Sequence, residues 1–250
     1  MSETTKSDLA IVGQTRIFFG HQSVGNNIIE GVRDIQKDVG GQGLKLIELG
    51  DATEFPPSFL LHSKVGKNTD PASKCDDFKR MIDHQLTGKI DYAMLKFCYI
   101  DINDSSDVEA VFEHYRRTLD ALKAGHPDIT FIHVTAPLRH SESGLGIWIR
   151  ELLRKPNRSK LDNIKRNIFN DMLHSTYPDD PIFDLAASES TYPDGRRETF
   201  RYHGNTYFGL IGNYTSDGGH LNETGRKHVA TDLIHSLAAI ISANPSRSGH

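Results

Sequence analysis

The feature of this sequence that most constrains its fold is the alternation of short apolar runs with longer segments of helical periodicity. The apolar runs that predict β-strands are residues 16–19, 44–49, 91–100, 129–135 and 181–185. Most of the segments between them carry apolar residues three and four positions apart, as on one face of a helix. Parallel strands need such crossover helices, which cover both faces of the sheet. The sequence therefore predicts a single-domain, doubly wound α/β/α sandwich with a five-stranded parallel sheet.

The first strand run leads through a turn to a serine. Gly20 permits a sharp turn after residues 16–19, and Ser23 follows it. The apolar spacing then becomes helical, at Val24, Ile28, Ile29, Val32 and Ile35. A serine here lies beside free backbone N–H groups and the positive end of the helix dipole, which can stabilise an oxyanion. Serine also caps helices well, so both roles stay open for this segment alone.

A second candidate segment precedes the last amphipathic stretch. Asp217 stands three residues before His220 on a glycine-rich turn. A carboxylate fixes the tautomer of a histidine and stabilises its imidazolium, so the histidine can activate a serine hydroxyl. The alternative is an ordinary surface loop with a helix cap at Asn222, which explains neither Asp217 nor His220.

Together these segments resemble the SGNH hydrolases, the superfamily of GDSL-like esterases. Ser23 matches the family's serine after the first strand, and Asn103 matches its asparagine after the third. Asp217 and His220 match its final pair, and the resemblance runs from residue 16 to about 240. The local motifs differ from the family pattern, because His21-Gln22-Ser23 replaces Gly-Asp-Ser and Asp101 replaces a glycine. The resemblance therefore implies a flavodoxin-like fold and a divergent branch.

The same resemblance implies roles for individual residues and no cofactor. Ser23 would be the nucleophile, His220 its base and Asp217 the group that orients His220. The oxyanion hole would comprise the N–H of Ser23, the side-chain amide of Asn103 and the N–H of a glycine after the second strand. Gly66 is the best match for that glycine, although Gly50 stays open and an ordinary turn is the alternative.

Further residues are candidates for substrate binding. His21 and Gln22 adjoin the serine, and Asn68 lies in the same loop as Gly66. The segment 191–214 is rich in aromatic and arginine residues and includes Tyr207 and Tyr214. Aromatic faces beside hydrogen-bonding groups suit a sugar, although a loop that packs its own aromatic side chains is the alternative.

Two other segments carry structural expectations. Residues 138–158 are expected to form a lid or an additional helix; the polar and aromatic residues singled out there are Arg139, His140, Trp148 and Arg150. Asp101 and Asp104 flank Asn103 and are expected to be carboxylates near the start of the following helix.

Composition limits the classes of function. A net charge of −4 gives no basic surface for nucleic acid, and no apolar run is long enough to span a membrane. The thirteen histidines form no compact zinc motif, so no metal is predicted. We expect one domain over residues 1–250 with a core at about 14–243 between short polar tails. A cytoplasmic location is expected, with secretion as the alternative, and Cys75 and Cys98 are expected to stay free.

The sequence thus predicts a serine ester hydrolase that removes a small acyl group, such as acetyl, from a carbohydrate-like or other small polar ester. An acyltransferase would use the same serine chemistry, and a glycan-binding protein without catalysis would retain the same pocket. The sequence does not separate the hydrolase from the transferase.

Overall fold

The computed structural model describes residues 3–40, 43–50, 55–141 and 158–244. Its helices are α1 (Glu3–Val12), α2 (Ser23–Asp38), α3 (Pro71–Met81), α4 (Val108–Gly125), α5 (Arg158–Thr176), α6 (Leu185–Ser190) and α7 (Glu223–Ala243). Its strands are β1 (Arg16–His21), β2 (Leu46–Glu48), β3 (Phe59–Lys64), β4 (Tyr92–Leu95), β5 (Thr130–Val134), β6 (Ile182–Phe183), β7 (Thr199–Tyr202) and β8 (Asn205–Phe208). Helices and strands alternate through most of the chain, as the sequence predicts.

Six of the strands form one parallel sheet in the order β2-β3-β1-β4-β5-β6. Strands β7 and β8 pair with each other as a separate antiparallel hairpin. The parallel α/β/α sandwich is therefore confirmed, and the carboxyl ends of the six strands share one edge of the sheet. Strand β1 lies at the point where the order reverses, which in such sheets is the place of the ligand crevice.

The predicted number of strands was wrong because β3 was assigned to an irregular loop. Its second half contains His62 and Ser63, two polar residues that hide the strand pattern, yet they are only 4% and 9% exposed. Strand β3 lies between β1 and β2, so the predicted second strand is a short edge strand of three residues.

Each face of the sheet carries its own apolar core. Alternate residues of β1 point to opposite faces: Phe19 packs with α1, α2 and α7, whereas Phe18 packs with α3, α4 and α5. The five apolar positions predicted for the buried face of α2 are all in the first core.

Helix α1 corrects the expectation of a polar tail before residue 14. Leu9 and Val12, one helical turn apart, are 2% and 0% exposed in the first core. The Asp8 carboxylate also contacts the ring of His235 in α7. The helix forms because its few apolar side chains share one face that α7 covers.

Helix α5 is present as predicted, but its buried face is largely polar. The apolar residues that predicted the helix are Leu161, Ile164, Ile168 and Met172, and none of them is buried. Asn163, Arg166, Asn167 and Asn170 point inward instead, together with Phe169 and Leu173. These polar side chains are buried because they bind the backbone of loops. Asn170 hydrogen-bonds to the backbone N–H and carbonyl of Ala136, and Asn163 does the same for the backbone of Arg139.

We expect Gly31→Ala to destabilise the fold, because α2 and α7 approach closely at this glycine. A Cβ at Gly31 would lie 2.2 Å from the Arg226 carbonyl oxygen and 2.8 Å from the Ala230 Cβ. Relieving such a contact requires the helices to separate, which typically costs about 1–3 kcal/mol. Urea unfolding monitored by circular dichroism measures the loss.

Gly125→Ala is the matched control. Nothing lies within 4 Å of a Cβ at Gly125, the last residue of α4. The control should unfold at or slightly above the parent's urea midpoint, because alanine reduces the entropy of the unfolded chain. Equal midpoints for the two variants would contradict the close helix contact.

Candidate active site

Ser23 lies at the first position of α2, directly after β1. Gln22 is the N-cap residue and has an extended backbone, so Ser23 does not cap this helix. Within the described ranges, no protein acceptor binds the N–H of Ser23. The capping alternative is thereby excluded, and the N–H of Ser23 is available at the positive end of the helix.

The ring of His21 packs against the turn that carries Ser23 and does not face solvent. It is 0% exposed, and a Cβ at Gly25 would lie 2.3 Å from the His21 Cγ, so only glycine fits over the ring. The Nδ1 of His21 lies 3.2 Å from the Gln22 carbonyl, and its Nε2 lies 3.3 Å from the Nδ1 of His62. The consistent assignment has His21 Nδ1–H donating to Gln22 and His62 Nδ1–H donating to His21. Burial therefore corrects the prediction that His21 contacts substrate.

The two buried histidines are held in the neutral form. Burial, reinforced by the positive charge of Lys96, lowers the pKa of His21 to about 3. Burial also lowers the pKa of His62. Desolvation disfavours the charged form of both rings, which suits a chain of neutral hydrogen bonds under the serine turn.

Asp217 and His220 form a hydrogen-bonded pair on one turn. The Nδ1–H of His220 donates to Asp217 Oδ2 over 2.6 Å, while the N–H groups of Gly219 and His220 donate to Oδ1 over 2.9 and 2.7 Å. Partial burial opposes ionisation of Asp217, but these three hydrogen bonds together hold its pKa well below the usual range. The carboxylate therefore stays charged and directs the Nε2 of His220 away from itself.

The loop that carries His220 is attached to α2 beside Ser23. Asn27 Oδ1 accepts a hydrogen bond from the Leu221 N–H over 3.3 Å, and Asn27 is one turn beyond Ser23 on the same helix face. Asn222 caps α7 by accepting from the Gly225 N–H, as the sequence suggested. The three predicted catalytic residues are thus brought to one edge of the sheet.

Ser23 does not yet hydrogen-bond to His220. Its Oγ lies 3.7 Å from the Sγ of Cys98, and no hydrogen bond joins Ser23 to His220 within the described ranges. Catalytic hydrogen bonds are often long or absent without substrate. The contact of Ser23 with His220 therefore stays a prediction.

Tyr99 is a residue of this site that the sequence analysis missed. Its hydroxyl lies 3.5 Å from the Nδ1 of His220, and the two rings pack edge to face. A Cβ at Gly219 would lie 2.7 Å from the Tyr99 ring, so this glycine permits the close approach. The sequence placed Tyr99 inside the strand predicted over residues 91–100, whereas β4 ends at Leu95 and leaves Tyr99 in the loop that follows.

Two arginines hold Tyr99 in place. The guanidinium of Arg139 stacks on its ring with 5.2 Å between centres, and Arg139 Nε donates to the Gly218 carbonyl over 3.4 Å. Arg166 Nε donates to the Tyr99 carbonyl over 2.7 Å. Arg139 therefore connects the ring of Tyr99 to the turn that carries Asp217 and His220.

A buried ion pair holds the neighbouring loops and corrects the role expected for Asp101. Lys74 Nζ and Asp101 Oδ2 are 2.5 Å apart, and both side chains are 0% exposed. Asp101 also accepts hydrogen bonds from the N–H groups of Cys98 and Thr69. It is therefore a loop anchor and not a helix-start carboxylate, since Asp107 caps α4.

Asn103 lies farther from its strand than predicted. Strand β4 ends at Leu95, and Asn103 occupies a turn in which its Oδ1 accepts hydrogen bonds from the N–H and hydroxyl of Ser105 (3.0 and 2.6 Å). Its amide nitrogen donates to none of the residues that the structure describes. The contribution of Asn103 to an oxyanion hole stays a prediction.

Gly66 follows β3, but its N–H is not available to an oxyanion. That group donates to Asp77 Oδ2 over 2.9 Å, which corrects the predicted oxyanion donor. Gly66 has a φ of +53°, and a Cβ would lie 2.5 Å from the Lys74 nitrogen, so glycine is required for packing. Gly50 follows the edge strand β2, and β3 separates it from β1, so it is no substitute.

The remaining predicted substrate-binding residues differ in their surroundings. Gln22 Nε2 donates to the carbonyls of Val65 and Gly66 over 3.0 Å each, so it braces the loop. Asn68 is exposed and accepts from Lys74 Nζ, whereas Tyr207 lines a pocket. Tyr214 is only 4% exposed and packs against His228, so its burial corrects the predicted substrate contact.

The lid expected at 138–158 lies mostly outside the described residues. Arg139 and His140 are described, and His140 Nδ1–H donates to the Leu210 carbonyl over 3.1 Å, whereas Trp148 and Arg150 are not. In the described ranges, no three His, Cys, Asp or Glu side chains are grouped as metal ligands would be. No described helix is long and apolar enough to cross a membrane.

Comparison with known proteins reveals similarity in structure alone. Neither a protein-family model nor a curated protein matches the sequence. A Slackia heliotrinireducens protein described as an SGNH hydrolase matches with a TM-score of 0.50 at 9% identity, over 89% of this chain and 98% of that one. This chain has the SGNH-hydrolase fold.

Two further solved structures match at similar levels. An acetyl xylan esterase gives a TM-score of 0.51 at 17% identity, over 88% of this chain and 98% of its own. An acetyl esterase variant solved with an acetate ion gives a TM-score of 0.51 at 13% identity, over 91% of this chain and 97% of its own. Such low identity agrees with a divergent sequence on this fold.

We expect acid to destabilise the protein through His21. The unfolded chain binds a proton near the ordinary histidine pKa of 6.5, and the folded state binds it only near 3. Between these values the unfolded state binds more protons, so the free energy of unfolding decreases as the pH falls. His21→Asn should reduce this pH slope by up to about 1.4 kcal/mol per pH unit.

Urea unfolding at about pH 7, 6 and 5 measures the slope, within the range where histidine changes charge. His84→Asn is the control, because His84 is exposed on the turn after α3. The control should keep the parent's slope. A slope in His21→Asn equal to that of the parent would contradict a neutral, buried His21.

Proposed function

We propose that this protein is a serine ester hydrolase that removes a small acyl group, such as acetyl, from a carbohydrate-like ester. The observation that carries the proposal is the Asp217–His220 pair, 2.6 Å from Oδ2 to Nδ1, on a loop bonded to the helix that begins at Ser23. A carboxylate, an imidazole and a hydroxyl in this order form the arrangement that activates a serine.

In the proposed reaction, Ser23 Oγ attacks the carbonyl carbon of the ester while His220 Nε2 takes the hydroxyl proton. The tetrahedral intermediate then expels the alcohol, which receives that proton from His220. Water, deprotonated by His220, attacks the acyl-serine and releases the carboxylic acid with free Ser23. Asp217 stays ionised throughout and stabilises the imidazolium.

Two donors would stabilise the oxyanion. The N–H of Ser23 has no acceptor within the described ranges and benefits from the helix dipole of α2. The side-chain amide of Asn103 would be the second donor, since its nitrogen is unengaged by described residues while Ser105 holds its oxygen. Both would act most strongly when charge develops on the substrate oxygen.

The exposure of the pair favours hydrolysis over acyl transfer. The side chains of His220 and Asp217 are 41% and 54% exposed, so water reaches the base. An acyltransferase must exclude water from its acyl-serine. The similarity in fold to an acetyl xylan esterase and an acetyl esterase motivates acetyl esters of sugars as the first substrates to test.

A fluorophosphonate probe tests the nucleophile. We expect it to label the parent at Ser23, and Ser23→Ala and His220→Gln to lose labelling because the first removes the nucleophile and the second its base. Loss of a serine nucleophile typically lowers turnover by roughly 10⁶-fold. Peptide mapping identifies the labelled residue.

Ser175→Ala is the matched control, because Ser175 is exposed near the end of α5. It should label and hydrolyse acetyl esters as the parent does. A folded parent that stays unlabelled, or is labelled at another serine, would reject the esterase in favour of a binding protein.

Asn103→Ala distinguishes an oxyanion donor from a turn residue. If Asn103 is an oxyanion donor, its substitution should lower kcat by roughly 10²- to 10³-fold with little change in KM. If Asn103 only stabilises the turn, the substitution should lower the melting temperature and leave the turnover of the folded fraction unchanged. Steady-state kinetics and thermal unfolding on one preparation separate the two.

Ser105→Ala serves as the comparison variant. It removes the hydroxyl that donates to Asn103 Oδ1 but keeps the amide nitrogen of Asn103. We expect a small loss of thermal stability and near-parental kcat. Equal kcat values for Asn103→Ala and Ser105→Ala would remove Asn103 from the oxyanion hole.

A further inference from the structure

A second concave site lies between helix α5 and the β7–β8 hairpin. It has a volume of about 350 Å³, within the usual range for small-ligand pockets, and shares no residue with the proposed triad. Leu161 and Ile164 of α5 line it, and Tyr202 and Tyr207 of the hairpin line it as well. Nothing in the proposed chemistry at Ser23 accounts for this pocket.

The pocket exists because α5 turns a stripe of apolar residues away from the core, while most of its buried side chains are polar. The polar face of the helix binds loop backbone, so its apolar stripe faces outward into the pocket. Ile168 continues that stripe and, at 38%, is the one large hydrophobic residue that is exposed in the described ranges. An outward apolar stripe beside two phenol rings is typical of a binding surface.

The hairpin turn holds another residue at this pocket. His203 has a φ of +46° and precedes Gly204 at +84°, as in the tight turns with two left-handed residues. Histidine is less favourable than glycine or asparagine in that conformation. Its ring packs edge to face on Tyr202 at 4.3 Å, and both side chains line the pocket.

The polar groups of the pocket can hydrogen-bond to a ligand without giving the pocket a net charge. The carboxylate of Asp104 has no hydrogen bond or ion pair with any residue that the structure describes. Lys165 also lines the pocket, and its Nζ keeps its positive charge while it donates to the neutral Ser106 carbonyl. A carboxylate without a partner accepts hydrogen bonds from hydroxyl groups, and an ammonium donates to them. Together with the phenol rings, these groups suit a neutral ring that has one apolar face and several hydroxyls.

The pocket is close enough to the triad to share one extended ligand. Tyr99 contacts His220, and Asp104 lies five residues farther along the same loop. A chain segment of that length spans at most about 18 Å between its Cα atoms. The wall of the pocket is therefore within the reach of a short oligosaccharide that has its ester group at Ser23.

We propose that this pocket binds a neutral pyranose unit of an oligosaccharide, distant from the acyl group that Ser23 attacks. The inference rests on the proposed esterase function for its biological meaning, and it names the alcohol part of the substrate. Binding itself does not depend on that function, because an oligosaccharide without an ester group should also occupy the pocket.

Calorimetric titration of the full chain with xylotetraose, cellotetraose and chitotriose tests the proposal. We expect at least one of these neutral oligosaccharides to bind, and Asp104→Ala and Tyr202→Ala each to raise its Kd about tenfold or more. Trigalacturonate should bind no more tightly than the best neutral sugar, because Asp104 and Lys165 leave the pocket without a net positive charge. Asp179→Ala, at an exposed aspartate outside the pocket, should leave Kd unchanged.

Each outcome decides the proposal. It is overturned if no neutral oligosaccharide binds, if binding is unaffected by Asp104→Ala in a variant with parental near-UV circular dichroism, or if trigalacturonate binds more tightly than every neutral sugar. Fluorophosphonate labelling of Ser23 reports separately on the esterase. Oligosaccharide binding without labelling of Ser23 would support the sugar pocket and reject the esterase. Labelling of Ser23 without oligosaccharide binding would support the esterase and reject the sugar pocket.

Discussion

The buried ion pair of Lys74 and Asp101 is the interaction on which the rim of this sheet depends. Two charges removed from water are stable only when each is well compensated, and losing one partner of such a pair typically costs about 3–5 kcal/mol. Asp101 is compensated by Lys74 and by two backbone N–H groups from different loops, at Thr69 and Cys98. The pair therefore fixes the loops after β3 and β4 against α3. Cys98, in contact with Ser23, is held by it directly.

Polar side chains replace apolar packing elsewhere around the same edge. Arg166 and the asparagines of α5 bind the backbone of the loops after β4 and β5, at Tyr99, Ala136 and Arg139, so the helix holds these loops in fixed positions. Loops lack the repeating hydrogen bonds of helices and strands, and their buried backbone groups need partners from side chains. This requirement explains why the inner face of α5 is polar and why its apolar stripe is left for another use.

Buried titratable groups continue beneath the serine turn. Lys96 and Glu189 are both 0% exposed, and neither Lys96 Nζ nor Glu189 Oε1 has a hydrogen-bond partner in the described ranges. Burial lowers the pKa of Lys96 and raises that of Glu189 to about 8, so both shift toward neutral forms. With His21 and His62, they make the core below the site polar but reluctant to carry charge. The two histidines reduce stability in acid, whereas the raised pKa of Glu189 has the opposite effect, because the folded state holds that proton more tightly than the unfolded chain does.

The sequence by itself determined the parallel α/β architecture, the helix that begins at Ser23 and the pairing of Asp217 with His220. These features depend on periodicity and on residues a few positions apart, which local geometry brings together. Tertiary structure alone decided that residues 59–64 form a central strand, that Tyr99 contacts His220, that Asp77 takes the N–H of Gly66 and that α5 buries its polar face. Each of these depends on which backbone groups and charges lack partners once distant segments pack, and a periodic pattern in one segment does not contain that information.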